Sequence, residues 1–207
     1  MAKKLLRSYW RRSEGATALE FALVCVPLLI LTLGIIEFAF ALFQWNTAEK
    51  ATQLGVRRAV VSAPVATGLN TFNGKTNSNE YGDEPMPDFA NSPVICNGAT
   101  STCSNGFTYS SAAHGRIVAR MRSIFPRIAA NNVVVEYQPM GLGFVGRCGA
   151  VPSVTVRLQN MSYDFMVIDS LLNLVGGTGA ASMAMPSFTA TMVGEDLNTA
   201  GAISPCA

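Results

Sequence analysis

The chain has 207 residues, 49% of them apolar and only 14% charged, against roughly 25% charged in an ordinary soluble domain. Five basic residues (Lys3, Lys4, Arg7, Arg11, Arg12) and three acids (Glu14, Glu20, Glu37) lie in the first 45 positions, and the remainder carries ten of each sign. The net charge of +2 is therefore an end effect, which argues against a basic domain built to neutralise phosphates and against nucleic acid as a partner.

From Phe21 to Trp45 the chain is apolar apart from Glu37. A helix of that length rises about 37 Å, enough to cross a ~30 Å hydrocarbon core with some tilt. Core helices of soluble proteins seldom stay apolar all round for so long. Basic residues precede the run and none follows before Lys50, so the positive-inside rule predicts a cytoplasmic N-terminus and an exported remainder. The run is too long for a secretory signal, and its far end, Phe43-Gln44-Trp45-Asn46, lacks the small residues of a signal-peptidase site. Small residues stand instead before the run, at Gly15-Ala16. Within it, Pro27 lacks an N–H and predicts a kink, while Cys25 reads as a small apolar residue.

The segment Gly15-Ala16-Thr17-Ala18-Leu19-Glu20-Phe21 resembles a type IV prepilin processing signal, with a basic leader ending in Gly and a Glu at the fifth mature position. Over residues 11–61 the chain resembles the TadE family, the pseudopilins of the tight-adherence (Flp-type) pilus machinery. The likeness lies in the small residues before Glu20-Phe21, in Gly34-Ile35-Ile36-Glu37, and in the Ala/Arg-rich stretch from Asn46 to Ala59. It implies three pieces: a leader at 1–15, a long helix at 16–62 that spans the membrane at about 21–45, and a pilin-like head at 63–207. It further implies a minor pilin that acts by packing rather than catalysis, with no cofactor, in the assembly or initiation of a pilus for surface attachment. Its partners would be a prepilin peptidase cutting between Gly15 and Ala16, other pilins, the inner-membrane assembly platform and the lipid bilayer. Cleavage exposes the amine of Ala16, which Glu20, four residues along the same face and in the favourable first turn, is placed to neutralise. For Glu37 and Pro27 the resemblance implies packing against another pilin-like helix or the platform; hydration of Glu37 by nearby headgroups is the alternative. Two other readings stand beside this one: a membrane-anchored periplasmic binding or enzymatic domain with an uncleaved anchor, and a pseudopilin of the type II secretion kind.

Beyond Trp45 the helical pattern continues to Ser62, with Ala48, Ala51, Gly55 and Ala59 as a stripe of small residues and Pro64 as terminator. Residues 63–107, rich in Asn, Gly, Ser and Thr, read as a long exposed loop. Cys96, Cys103, Cys148 and Cys206 all follow the span, where an oxidising compartment pairs them. Of three connectivities, the spacing favours Cys96 with Cys103 and Cys148 with Cys206, with chain-entropy contributions of roughly 2.5 and 4 kcal/mol. No C-x₂-C pair supports zinc, and the Asn, Asp and Glu residues between Asn73 and Asp88 lack EF-hand spacing for calcium, so no metal is expected.

An amphipathic helix is predicted over Ser110–Phe125, stopped by Pro126, with His114 exposed near its start. Arg116, Arg120, Arg122 and Arg127 around it read as a solvated face. Alternation predicts strands at Val133–Tyr137 and Val154–Leu158, with a third from Ala184 to Val193 carrying Pro186 near its start. Tyr163–Val175 reads as a short helix or docking loop. The G-x-G-x-x-G match at 141–146 leads into a strand rather than a helix, so it is a turn and not a phosphate cradle. Helix first and antiparallel sheet after is an α+β arrangement.

Overall fold

A computed structural model describes residues 14–74, 85, 93–142, 144–145, 151–174, 176–177, 182–194 and 197. Helix α1 runs without a break from Glu14 to Val60. After it come β1 (Ala66–Thr67), β2 (Val94–Asn97), β3 (Thr102–Cys103), β4 (Thr108–Tyr109), α2 (Ser111–Arg122), β5 (Val133–Gln138), β6 (Ser153–Leu158), β7 (Ser162–Asp164), α3 (Val167–Leu174), β8 (Ser182–Ala184) and β9 (Phe188–Val193). This is the α+β architecture expected. Two compact units divide the chain: α1 up to Leu42 groups with Asp164–Met183, and Phe43–Tyr163 groups with the residues from Ala184 onward.

The second unit is built on an antiparallel sheet of order β3-β2-β5-β6-β9. Its alternation is that read from the sequence: Val133, Val135 and Tyr137 of β5 and Val154, Val156 and Leu158 of β6 are fully buried. Val135 pairs with Val156 and Tyr137 with Val154 across the ladder. The small-residue stripe of α1 meets this core. Ala48, Ala51, Gly55 and Ala59 are all buried, and a Cβ added at Gly55 would stand 2.8 Å from Met121 Sδ of α2 and 3.4 Å from Val156 of β6. At that point α1, α2 and β6 pack closely, and a methyl group on residue 55 would have to displace the Met121 thioether. Tyr137 closes the far edge: its buried hydroxyl accepts the Val65 N–H at 2.8 Å, and burial pushes the phenol up from its ordinary value against the pull of that amide.

Helix α2 begins where a cap stands ready. Ser110 Oγ accepts the Ala113 N–H at 3.3 Å, satisfying one of the orphan donors of the first turn. Four sequence expectations change in this unit. The stretch 63–107 is not loop throughout, because it holds β1 to β3, and Val65, Ala66, Leu69, Val94 and Cys96 are fully buried. The third strand is two, β8 and β9, separated at Met185–Ser187; Pro186 cannot donate to a ladder, and β9 begins only after it, as the edge strand beside β6. Arg127 is not merely solvated, since it donates to Gln44 Oε1 at 3.0 Å and to the Ser162 carbonyl at 3.4 Å. His114 is buried, not exposed.

The His114 ring lies 5.4 Å from that of Tyr109, and its Nε2 lies 3.2 Å from the Val133 carbonyl. A carbonyl only accepts, so Nε2 carries the proton. Burial holds the imidazole below its ordinary value, opposed by the Val133 hydrogen bond. The unfolded chain takes up this proton near pH ~6.5, and the native state does so only at lower pH. Stability from His114 is therefore complete above that pH and falls as the pH drops below it, by at most about 1.4 kcal/mol per pH unit. Urea midpoints at pH 7.5 and 5.5 check this: the acid-induced loss should be smaller in His114→Gln than in the parent.

Cys96 and Cys103 are bonded and face each other directly across the β2–β3 pair, the pairing predicted from their spacing. Replacing both by Ser is expected to cost about 2.5 kcal/mol, the entropy of closing so short a loop, read as a lowered denaturant midpoint at unchanged slope. Cys148 and Cys206 lie outside the described residues, as do Gly143 and Gly146 and the acidic positions from Asp83 to Asp88.

Candidate functional site: the apolar helix and its buried carboxylate

The first unit is organised by the apolar half of α1. From Thr17 to Leu42 every residue is exposed except Cys25, Gly34, Glu37 and Ala41. This helix is long and apolar enough to cross a membrane. Its side chains are not used to build a core, which sets it apart from the buried helix of a soluble protein. Pro27 lies within the continuous helix, where its missing N–H leaves the carbonyl of Leu23 without its usual partner.

The residues picked out from sequence fall into two groups along this rod. Gly15 and Ala16 form the first turn with Glu14, and Glu20 and Phe21 follow one turn later, both exposed. Glu37 lies 17 residues beyond Glu20, about 26 Å along the axis, so the structure does not bring the two carboxylates together.

Glu37 is only 4% exposed in the midst of this bare apolar surface. Its Oε1 accepts the N–H groups of Met166 and Val167, the latter at 2.8 Å, and Oε2 accepts that of Ile168 at 3.0 Å. These three donors are the start of α3, the groups that an α-helix leaves without internal partners. The carboxylate also meets the positive end of the helix dipole. Two costly items thus cancel: an acid within an apolar stretch, and a helix N-terminus with open donors. Gly34, Glu37 and Ala41 recur at three- and four-residue spacing, so they share one face of α1. The partner of Glu37 that the sequence left unnamed therefore lies in the same chain. Sequence reasoning missed Met166–Ile168 because backbone donors carry no residue signature; the available signal was the short segment Tyr163–Val175, in a chain with one unexplained acid inside an apolar run.

Among the described residues no group of three or more His, Cys, Asp or Glu is arranged to hold a metal. The fold and this site define a class: a single apolar helix with an exposed flank, continued into a small disulfide-tied α+β unit. Within that class the N-terminal segment is TadE-like, because residues 15–57 match the family model described as TadE-like protein. The match takes in Gly15, Ala16, Glu20, Phe21, Pro27 and Glu37, and stops near the end of α1. No curated protein and no solved structure is a match for the chain.

Proposed function

We propose that the chain is a structural minor pilin, or pseudopilin, of the tight-adherence pilus system. In this reading α1 is a single-pass anchor in a bacterial inner membrane with its N-terminus cytoplasmic, and a prepilin peptidase removes residues 1–15. The head stands in the periplasm or becomes part of the filament, and other pilins and the assembly platform are its partners. Its work is packing, without catalysis or a cofactor. The observation that carries the reading is the TadE-like match over 15–57, laid on a helix whose apolar side chains stand exposed and whose first turn holds Gly15-Ala16 one turn before Glu20.

Intact mass of the membrane-extracted protein tests it. The expected species begins at Ala16; a species retaining residues 1–15 favours an anchored periplasmic domain with an uncleaved signal instead. Deletion of the gene is expected to remove or diminish surface pili, and unchanged piliation would end the assembly role.

A further inference from the structure

The first unit contains one element that the pilin reading leaves unused, helix α3. Its polar and apolar residues are sorted by face. With 3.6 residues per turn, Ile168 and Leu172 fall on one side, and Asp169 and Asn173 lie together roughly 100° further round. Ile168 and Leu172 are 36% and 42% exposed, Met166 before them is 81% exposed, and Val167 and Leu171 are half-buried. Ser170 Oγ donates to the Met166 carbonyl at 2.7 Å, and Asn173 Nδ2 donates to Asp169 Oδ2 at 3.5 Å.

Both ends of this helix are closed by protein groups. The first turn gives three N–H groups to Glu37. At the other end Gly176, at φ 81°, donates its N–H to the Asn173 carbonyl at 3.2 Å, and Gly177 donates to the Leu172 carbonyl at 2.8 Å. That is a Schellman closure, which glycine permits because the residue after the helix must be left-handed. In water such orphan groups find solvent. Within hydrocarbon each one left open costs several kcal/mol, so a short helix survives there only with both ends satisfied.

Depth gives the same answer. If the hydrocarbon begins at Phe21, Glu37 lies about 24 Å along α1, inside a core of about 30 Å, and any tilt places it deeper. Three hydrogen bonds hold the start of α3 at that level. Exposed apolar side chains then stand on both elements: Met166, Ile168 and Leu172 on α3, and Ile35, Phe38 and Leu42 near Glu37 on α1.

We propose that α3 is an in-plane membrane element of the leaflet distal to Phe21. Ile168 and Leu172 lie against acyl chains, Asp169 and Asn173 face the headgroups, and Glu37 fastens the helix to the anchor. The occupant of the apolar face is lipid, because the Glu37 bonds hold that exposed face at the level of the apolar span and a polar strip borders it, the pattern of an interfacial helix. The inference rests on the anchored reading of α1. It adds a second membrane contact, which fixes the rotation of α1 about its axis as well as its depth.

The test places a photoreactive benzoylphenylalanine singly at Leu31, Ile168, Leu172 or Asn173 of the full chain in phosphatidylethanolamine/phosphatidylglycerol vesicles. Lipid adducts are read by mass after irradiation. The expected result is adduct at Leu172 and Ile168 in yield comparable to Leu31, and its loss at Asn173. Adduct at Leu31 with none at Leu172 and Ile168, or equal yield at Leu172 and Asn173, overturns the in-plane assignment while leaving the anchor intact. No adduct at Leu31 is a different failure, that of the anchored reading itself.

Discussion

Replacing Glu37 by Leu is expected to release the start of α3 from α1. The substitution suits an apolar environment in itself, yet it strips three backbone N–H groups of their acceptor at once. An orphaned buried donor costs about 1–3 kcal/mol, and each 1.4 kcal/mol is tenfold in an equilibrium. The first turn should fray rather than bear the whole cost. Amide exchange at Met166, Val167 and Ile168, measured by mass spectrometry in detergent or nanodiscs, is then expected to accelerate by about ten- to a hundredfold or more, while the amides of β5 and β6 are unaffected. Glu37→Gln keeps the shape and one accepting oxygen, so its effect should fall between the two. Glu20→Gln serves as a control, since Glu20 is exposed on a distant turn. Unchanged exchange in Glu37→Leu would mean that the carboxylate does not hold α3, and the assignment of α3 to the membrane would lose its anchor point.

This contact marks the limit of what sequence pattern conveys. Helix α1, helix α2 and strands β5 and β6 are legible because each carries its own period: a continuous apolar run, a three- and four-residue recurrence, a strict alternation. The same locality explains the disulfide, whose cysteines lie 7 positions apart. Strands β2 and β3 are hidden because they are short and lie among Asn, Gly and Ser, and β2 gains its burial from pairing with β5, as where Val94 meets Tyr137. No local pattern records that partner. Glu37 and Val167 are 130 positions apart, and one of them contributes only its backbone. The burial of His114 was different. His114, Ile117, Val118 and Met121 share the spacing of a single helix face, so the pattern carries the signal although the polarity of the side chain argues against burial. A buried histidine needs an acceptor, and the Val133 carbonyl that supplies it comes from another element.

Gly98 offers the sharpest test of how the disulfide-tied hairpin sits on the sheet. Its N–H donates to the Val133 carbonyl at 3.1 Å. A Cβ at this position would lie 2.0 Å from the Ala130 carbonyl oxygen, 2.8 Å from that of Val133 and 2.7 Å from Cε1 of His114. Two of these three obstacles are backbone. The Ala130 carbonyl belongs to a turn held on both sides: Asn132 Oδ1 accepts the Ala129 N–H at 3.0 Å, and Asn132 Nδ2 donates to the carbonyls of Gln159 and Asn160. The methyl group cannot enter unless the hairpin lifts away from β5, which breaks the Gly98–Val133 bond and uncovers His114. Gly98→Ala is therefore expected to cost at least the ~3 kcal/mol at the upper end of ordinary overpacking, a fall in Tm of roughly 6–12 °C for a chain of this size. Gly115→Ala supplies the opposite sign from the same chemistry. It is exposed within α2, nothing stands within 4 Å of its added Cβ, and the gain in helix propensity is worth about 0.5–1 kcal/mol. Thermal unfolding of the two variants beside the parent reads both effects at once. A Tm for Gly98→Ala equal to that of the parent would mean that β2 does not approach the turn at Ala130 as closely as the structure places it, and the shielding of His114 would need another source.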